Sequence, residues 1–596
     1  MPETLAVPFQ RRTLAEAIAW AGVLLCVAGF VATRMWQHIP TGRVGDSLLL
    51  AGLVALPAWA LRRFAGWSWA SALALVLALV AVVMAGVLPT LAVLLLALGA
   101  LALGGWITGS QRPLAAWLAG MALLAALVGW TLPLPVHHRP VYLLLLLSLV
   151  VLQRRTLLAQ CTQLRDGWRA AVASAPRAAG WSVLVLGLAS AGSWPPTMQF
   201  DDLAYHLGLP WQLMLHGRYA LDVSHQAWAL APWAGDALHA IPQVLARAEA
   251  RGPLNLLWLV AAAGGLWRLG SLLGLTPTLR WATLALYASL PLTTALLGGM
   301  QTETPAVAVS IALAVLVLDA SIPRRLLLGA LLVGLLFALK PMHGIAATPL
   351  VLWALWRERH ALPGPGAIAL ALLAFLAAGG SSYAYAWVAT GNPVLPLLND
   401  VFRSPAFPTA GFNDLRWQQG LDAALPWSLT FDTASYLEAW DGALGFVLVA
   451  LSGAWLLALI EGRTRGLAMC ATLAIALPLL PLQYARYLHP GIALLLPALL
   501  LALQRAMPRK RAAWLVAGLC AVTLLFQANG YWLLHLGIGP GAWVAMRLVI
   551  CRAQLRSGVC TADRPCSNKS RAVAFRGQQA TPTTQATSSR SCCCCT

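Results

Sequence analysis

Apolar runs of about twenty residues recur along most of the chain, and short polar or basic stretches separate them. A transmembrane helix needs about twenty apolar residues to cross the hydrocarbon core. The first such run, residues 14–33, follows Arg11 and Arg12 and lacks a small-residue cleavage site, so it reads as an uncleaved first span. Further runs lie near 46–61, 68–87, 90–107, 114–132, 140–152 and 179–194. The series continues near 253–273, 281–298, 304–319, 325–340, 344–356, 366–388, 442–460, 466–482, 488–504 and 512–530. The pattern predicts an all-α polytopic membrane protein with about sixteen to eighteen spans. A transmembrane β-barrel would alternate residue by residue over ten-residue segments instead. The stretch 531–551 stays ambiguous because Gly537, Gly539, Pro540 and Gly541 interrupt it.

Composition agrees with this pattern. Of 596 residues 60% are hydrophobic and 10% charged, which excludes a soluble domain of this size. The net charge of +20 is not a nucleic-acid footprint, because the basic residues sit mainly in short loops. Arg62/Arg63, Arg112, Arg154/Arg155, Arg268, Arg280, Arg324/Arg325, Arg357/Arg359, Arg463/Arg465 and Arg505/Arg509/Lys510/Arg511 fall in alternate loops, predicted to be cytoplasmic. The other loops receive most of the acids. Two of them, 195–252 and 389–441, are long enough to form an outer cap. The first six spans, within 1–177, carry few acids and no evident chemistry, and they read as an accessory region before a core at 178–530. Residues 552–596 are rich in Ser, Thr, Gln, Cys and Arg and read as a disordered tail. Seven of the eleven cysteines follow residue 550, and none has the spacing of a metal site or a disulfide framework.

Chemistry concentrates in Gln199-Phe200-Asp201-Asp202-Leu203-Ala204-Tyr205-His206-Leu207-Gly208-Leu209-Pro210. Two adjacent carboxylates at a membrane boundary are costly and therefore informative. If the segment is α-helical, Asp201/Tyr205 and Asp202/His206 form i, i+4 pairs. One carboxylate could then act as a general base, or the pair could hold a divalent cation. The alternative is a helix cap bearing a hydrated acid pair and an interface histidine. Three other groups are candidates. Glu303, in Gln301-Thr302-Glu303-Thr304-Pro305, stands at an outer helix start, as a ligand or as a first-turn acid. Lys340, one of three lysines, precedes Pro341, with His343 and Gly344 next to it, and suits a phosphate group or a snorkelling role. Arg486 lies on the predicted outer side, against the charge rule. Asn392 and Asn399 read as turn-ordering residues.

The sequence Asp201-Asp202-x-x-Tyr205-His206-Leu207-x-x-Pro210, with Gly217 beyond it, resembles the first periplasmic loop of bacterial GT-C-fold glycosyltransferases. These are relatives of protein mannosyltransferases and of the lipid A aminoarabinose and galacturonosyl transferases. Thr390-Gly391-Asn392-Pro393-Val394-Leu395-Pro396-Leu397-Leu398-Asn399 resembles a second loop signature, and Ala485-Arg486-Tyr487-Leu488-His489-Pro490 the opening of a late span. The three occur in the family's order. The chain differs in having Asp-Asp where the best-known pattern has Asp-Glu, and in carrying about six spans before the motif.

The resemblance implies a GT-C-like core with short amphipathic helices in the outer loops, in a bacterial inner membrane, with its site facing the periplasm. It implies a polyprenyl-phosphate sugar as donor and a hydroxyl on a glycan, lipid or protein as acceptor. By analogy Asp201 or Asp202 is the base, with Asp202 preferred, and inversion at the sugar carbon follows from a single displacement. Tyr205, His206, Glu303, Lys340, His343, Arg486 and Tyr487 are the corresponding substrate-binding candidates. A Mg or Mn ion on Asp201, Asp202 and Glu303 is a candidate cofactor. Partners expected are the lipid bilayer, donor and acceptor, with no nucleic acid. A flippase or transporter of lipid-linked sugars is the alternative, and would call for mid-span charges and inverted repeats. An O-antigen ligase or polymerase is another.

Overall fold

A computed structural model describes residues 9–530 except 110, 198, 221, 222, 224, 225, 361, 362, 413 and 437–439. The ambiguous stretch 531–551 and the tail from 552 lie outside the described residues. Helices and no strands make up the regular structure of the described residues, as the apolar periodicity predicts. The protein is an all-α, multi-pass membrane protein.

Among the described residues seven helices are long and apolar enough to cross a membrane: Thr13–Ala32, Thr41–Ala65, Val87–Thr108, Pro113–Thr131, Arg251–Leu273, Ala485–Ala506 and Arg509–Gly530. The number rises to nine if two bent pairs each count once, Arg139–Leu152 with Arg154–Ser174 (77°) and Pro365–Gly379 with Ser381–Thr390 (64°). Trp69–Ala85, Glu303–Leu318, Arg325–Leu339 and Arg465–Leu479 are shorter apolar helices. The expected sixteen to eighteen runs therefore do not all correspond to long helices. Proline is one reason, because it lacks the N–H that would continue the helical ladder. Pro291 divides the run near 281–298 into Pro277–Ser289 and Pro291–Leu297. A break at Leu451 likewise separates Val447–Ala450 from Ser452–Ile460.

Glycine sets the closest helix contacts, as small residues do where helices pack in lipid. A Cβ on Gly104 would lie 1.8 Å from the Ala116 carbonyl oxygen, and one on Gly120 would lie 1.9 Å from that of Ala100. Helices Val87–Thr108 and Pro113–Thr131 thus touch backbone to backbone. The same device brings the first helix to the C-terminal part of the chain, where a Cβ on Gly453 would lie 1.9 Å from the Ile18 carbonyl oxygen. The described residues form one compact unit in which the helices before 177 and those beyond 178 share a continuous core.

Four helices give this unit two chemically different ends. Arg251–Leu273, Glu303–Leu318 and the late helix His489–Ala506 pack on one another, and Arg325–Leu339 joins them through Glu303–Leu318. Glu303–Leu318 has 16 residues, about 24 Å of rise, and its polar ends are Glu303 and Asp319. At the Asp319 end, Arg268 pairs with Asp319 at 2.5 Å, and Arg112 donates to Ser321 at 2.7 Å. Arg324 there caps the carbonyls of Trp106 and Ile107, and Arg505 pairs with Glu461 at the foot of the late helix. The chain then returns along Arg325–Leu339 and places Lys340 back at the Glu303 end. Arg112, Arg268, Arg324 and Arg505 thus lie at one end of these helices, and Glu303 and Lys340 at the other.

Candidate functional site

The acidic segment does not form the α-turn expected of it. Asp202–His206 is a single π turn, closed by the Leu207 N–H on the Asp202 carbonyl at 2.9 Å. Such one-residue expansions of a helix occur often at functional positions. Asp202 and His206 both turn inward and are buried, but they do not bond to each other. His206 Nδ1 lies 2.8 Å from Asp236 Oδ1, a residue of the helix Ala234–Ala246, which is buried along its whole length. Sequence spacing gave no sign of this partner.

Asp202 is fully buried. Its Oδ2 accepts the Thr197 hydroxyl and, at 2.8 Å, the Met300 N–H. Its Oδ1 is buried without a hydrogen-bond partner. Burial raises the Asp202 pKa above the ordinary carboxylate value, and His206, the two hydrogen bonds and Arg251 oppose that rise. Burial by itself would lower the His206 pKa, but the Asp236 carboxylate and its hydrogen bond raise it overall. His239, one turn from Asp236, has no such partner, and burial pushes it down to about 3.

Asp201 is placed differently. Its side chain is 26% exposed, and its Oδ2 is 3.5 Å from Arg486 Nη2. Arg486 Nε is in turn 3.6 Å from Glu303 Oε1, and Lys340 Nζ approaches the same oxygen at 3.6 Å. Glu303 is completely buried, and neither carboxylate oxygen has a hydrogen bond. Lys340 keeps 22% of its side chain exposed and lies 4.9 Å above the Tyr487 ring. The Arg486 guanidinium lies 5.5 Å from the Tyr484 ring and 5.5 Å from the Tyr487 ring. Stacking of this kind holds a cation without consuming its N–H donors. The Tyr205 hydroxyl lies in the electrostatic field of Asp201, Arg486 and Asp236.

His343 joins the Glu303 helix to the helix that follows Lys340. Its Nε2 is 2.9 Å from Thr302 Oγ1, so the helix beginning at Pro341 is tied to the one beginning at Glu303. Thr302 therefore serves His343 rather than capping its own helix. The nine residues singled out from the sequence, Asp201, Asp202, Tyr205, His206, Glu303, Lys340, His343, Arg486 and Tyr487, come together at this end. Asp201, Tyr205 and Lys340 are its accessible edge, and the remainder are buried beneath it.

Four supporting residues escaped sequence reasoning. Besides Asp236, Arg251 is buried and donates to the Leu297 carbonyl at 2.7 Å and to the Pro195 carbonyl, and it pairs with Glu249 at 2.9 Å. Asn255 donates to the Leu297 and Gly299 carbonyls at 3.0 and 2.6 Å. Together they hold residues 297–300, from which Met300 reaches Asp202. Asp414, in the second long loop, accepts from Tyr484 at 3.1 Å and takes a two-pronged contact from Arg416 at 2.7 and 2.8 Å. Arg251 opens a helix and could have been flagged as a cation at an outer boundary. The others carry no local signal.

The second signature, 390–399, is structural in this fold. Asn392 and Asn399 are buried, and Asn392 bonds Leu397 O, Asn399 Oδ1 and the Val394 N–H, while Asn399 bonds the carbonyls of Ser404, Phe407 and Pro408. They order the turn, as expected of them.

Among the described residues no three His, Cys, Asp or Glu side chains converge on one point. Glu303 moreover faces two cations, and Asp202 spends one oxygen on Thr197 and Met300. What the cluster offers chemically is an accessible carboxylate beside two fixed cations. No family model matches the chain, and no curated protein or solved structure does either.

Proposed function

We propose that the protein is a membrane glycosyltransferase of GT-C type that moves a sugar from a polyprenyl-phosphate donor to a hydroxyl acceptor on the outer face of a bacterial inner membrane. One observation carries this reading: Asp201, the exposed acid, lies against Arg486, which with Lys340 forms a pair of cations at the same end of the helix bundle. Transfer from a phosphate needs both parts. A base must take the acceptor proton, and cations must receive the negative charge that leaves with the phosphate oxygen.

In this mechanism Asp201 accepts the proton of the acceptor hydroxyl. The hydroxyl oxygen attacks the anomeric carbon, and the carbon–oxygen bond to the phosphate breaks on the opposite face. The phosphate departs with the bonding electron pair towards Lys340 and Arg486, and the sugar inverts. Asp201 takes the base role ahead of Asp202 because Asp202 is fully buried and its Oδ2 is held by Thr197 and Met300. Asp202 instead holds the acidic loop against residues 297–303. Tyr205 presents its aromatic face to the sugar, Tyr487 backs Lys340 and Arg486, and His206 keeps the π turn in place through Asp236. No metal ion enters the scheme.

The test is transfer of labelled sugar from a polyprenyl-phosphate donor in vesicles containing the protein. Asp201→Asn should fold and insert normally and lose about 10²- to 10⁴-fold in turnover, the usual worth of a general base. Full activity in Asp201→Asn, or movement of the intact lipid-linked sugar across the bilayer with no transfer, would reject the reading.

A further inference from the structure

Glu303 poses a physical problem that the transfer chemistry leaves open. A carboxylate with no exposed surface normally accepts hydrogen bonds, because an ion without them bears a large desolvation cost. Glu303 accepts none at either oxygen, and Lys340 and Arg486 stop at 3.6 Å from it. Neither cation's contact with Glu303 has the length of a charge-assisted hydrogen bond. Lys340 still reaches solvent, and Arg486 reaches the exposed Asp201. A phosphate arriving from that side would take charge-assisted hydrogen bonds of ordinary length, about 2.7–2.9 Å, from the same two cations.

We infer that Glu303 is a built-in counter-ion that competes with the phosphate group for Lys340 and Arg486, and so limits how tightly the phosphate-bearing product is held. This rests on the transferase reading above and adds a role for Glu303 in product release. With the site empty, Glu303 keeps two cations from facing each other in a buried setting. With phosphate present, Glu303 repels it. At an effective dielectric near 20, a negative charge a few ångströms from a bound anion weakens binding by at least about tenfold. An enzyme that must let go of a polyprenyl phosphate benefits from that repulsion.

The experiment measures binding of two probes, farnesyl phosphate and inorganic phosphate, to detergent-purified wild type, Glu303→Gln and Glu303→Asp. Both probes should bind Glu303→Gln at least about tenfold more tightly than wild type. Steady-state turnover should fall while single-turnover transfer changes less, because release becomes slow. Tightening for farnesyl phosphate alone would assign the ligand to the lipid headgroup, and tightening for both to the phosphate itself. Should Glu303→Gln fail to fold, Glu303→Asp decides. Its carboxylate retreats from the cations, and tighter phosphate binding in a variant that melts like wild type supports the role. Unchanged or weaker binding in whichever variant folds overturns it. Tightening in a protein that never transfers sugar would leave the counter-ion role standing and remove the transferase reading. Transfer that depends on Asp201 without any tightening would do the reverse.

Discussion

The Asp201 carboxylate lies 3.5 Å from the Arg486 guanidinium, and this contact joins the loop after residue 195 to the start of the late helix. Arg486 can serve Asp201 and Glu303 together because its guanidinium presents a flat fork of donors that rests beside the paired Tyr484 and Tyr487 rings. A lysine ammonium is a single point and cannot span both acids. Arg486→Lys should therefore insert and fold but transfer sugar about 10- to 100-fold more slowly, the worth of one or two charge-assisted hydrogen bonds. Turnover in vesicles, alongside a melting curve of the purified variant, checks this. Wild-type turnover would remove Arg486 from the site.

The buried His206–Asp236 pair makes a prediction about pH. An unfolded histidine titrates near 6.5. The folded value of His206 is raised, chiefly by the Asp236 carboxylate against the opposing effect of burial. A raised histidine contributes stability that is fully present below the unfolded value and is lost as pH rises through the folded one. The melting temperature should thus fall as pH is taken upward from about 6.5, and Asp236→Asn should flatten that slope. Breaking a buried pair by removing one partner costs about 3–5 kcal/mol, so Asp236→Asn should also melt earlier at pH 6. A pH slope identical in wild type and variant would show that the pair is uncharged throughout.

The fold class was legible because apolar run length is a one-dimensional signal that lipid enforces at every span. The nine candidate residues were legible for a related reason. A charge near a membrane boundary stands out from an apolar background, and Asp201, Glu303, Lys340 and Arg486 each did. Their partners were not. Asp236 looks like any loop acid until the buried helix Ala234–Ala246 brings it to His206. The π turn at Asp202–His206 also escaped, because a single i→i+5 bond depends on what anchors the side chains. Here those anchors are Thr197, Met300 and Asp236, all outside the turn. The exchange of roles between Asp201 and Asp202 follows from this. Sequence gives two equivalent neighbours, and only the inward turn makes one buried and the other accessible.

Asp414 offers a test of positioning at a distance. It does not reach the acids of the site, but its carboxylate holds the Tyr484 hydroxyl, and the Tyr484 ring backs Arg486. The adjoining strand of loop is strapped to the same region, with the Gln419 N–H on Gln483 Oε1 at 2.6 Å and Gln483 Nε2 on the Gly420 carbonyl at 2.8 Å. Asp414→Asn keeps an acceptor for Tyr484 but loses the ionic grip on Arg416. Asp414→Ala loses both. The expected order is a small decrease in kcat for the first and about tenfold for the second, the value of one hydrogen bond, with KM for the donor little changed. A purely structural role would instead lower the melting temperature of both and leave kcat per folded molecule intact.

The glycine contacts between helices Val87–Thr108 and Pro113–Thr131 supply a prediction independent of any function. A Cβ on Gly104 would meet the Ala116 carbonyl oxygen at 1.8 Å and the Gly120 nitrogen at 2.9 Å. These are backbone atoms, which cannot rotate away as a side chain can, so the helices must separate. Overpacking of this kind costs about 1–3 kcal/mol when a core can adjust, and Gly104→Ala belongs at or above the upper end of that range. Gly264 is the matched control. It lies inside the helix Arg251–Leu273 with nothing within 4 Å of the position a Cβ would take, so Gly264→Ala should be nearly neutral. The site should register the difference as well. Pro113–Thr131 packs against Ala234–Ala246, the helix that carries Asp236, and separation at Gly104 loosens the support of the His206–Asp236 pair. Gly104→Ala should therefore melt well below wild type and transfer sugar more slowly per folded molecule, while Gly264→Ala does neither. Equal melting temperatures for the two alanine variants would mean that the two helices are not held in backbone contact.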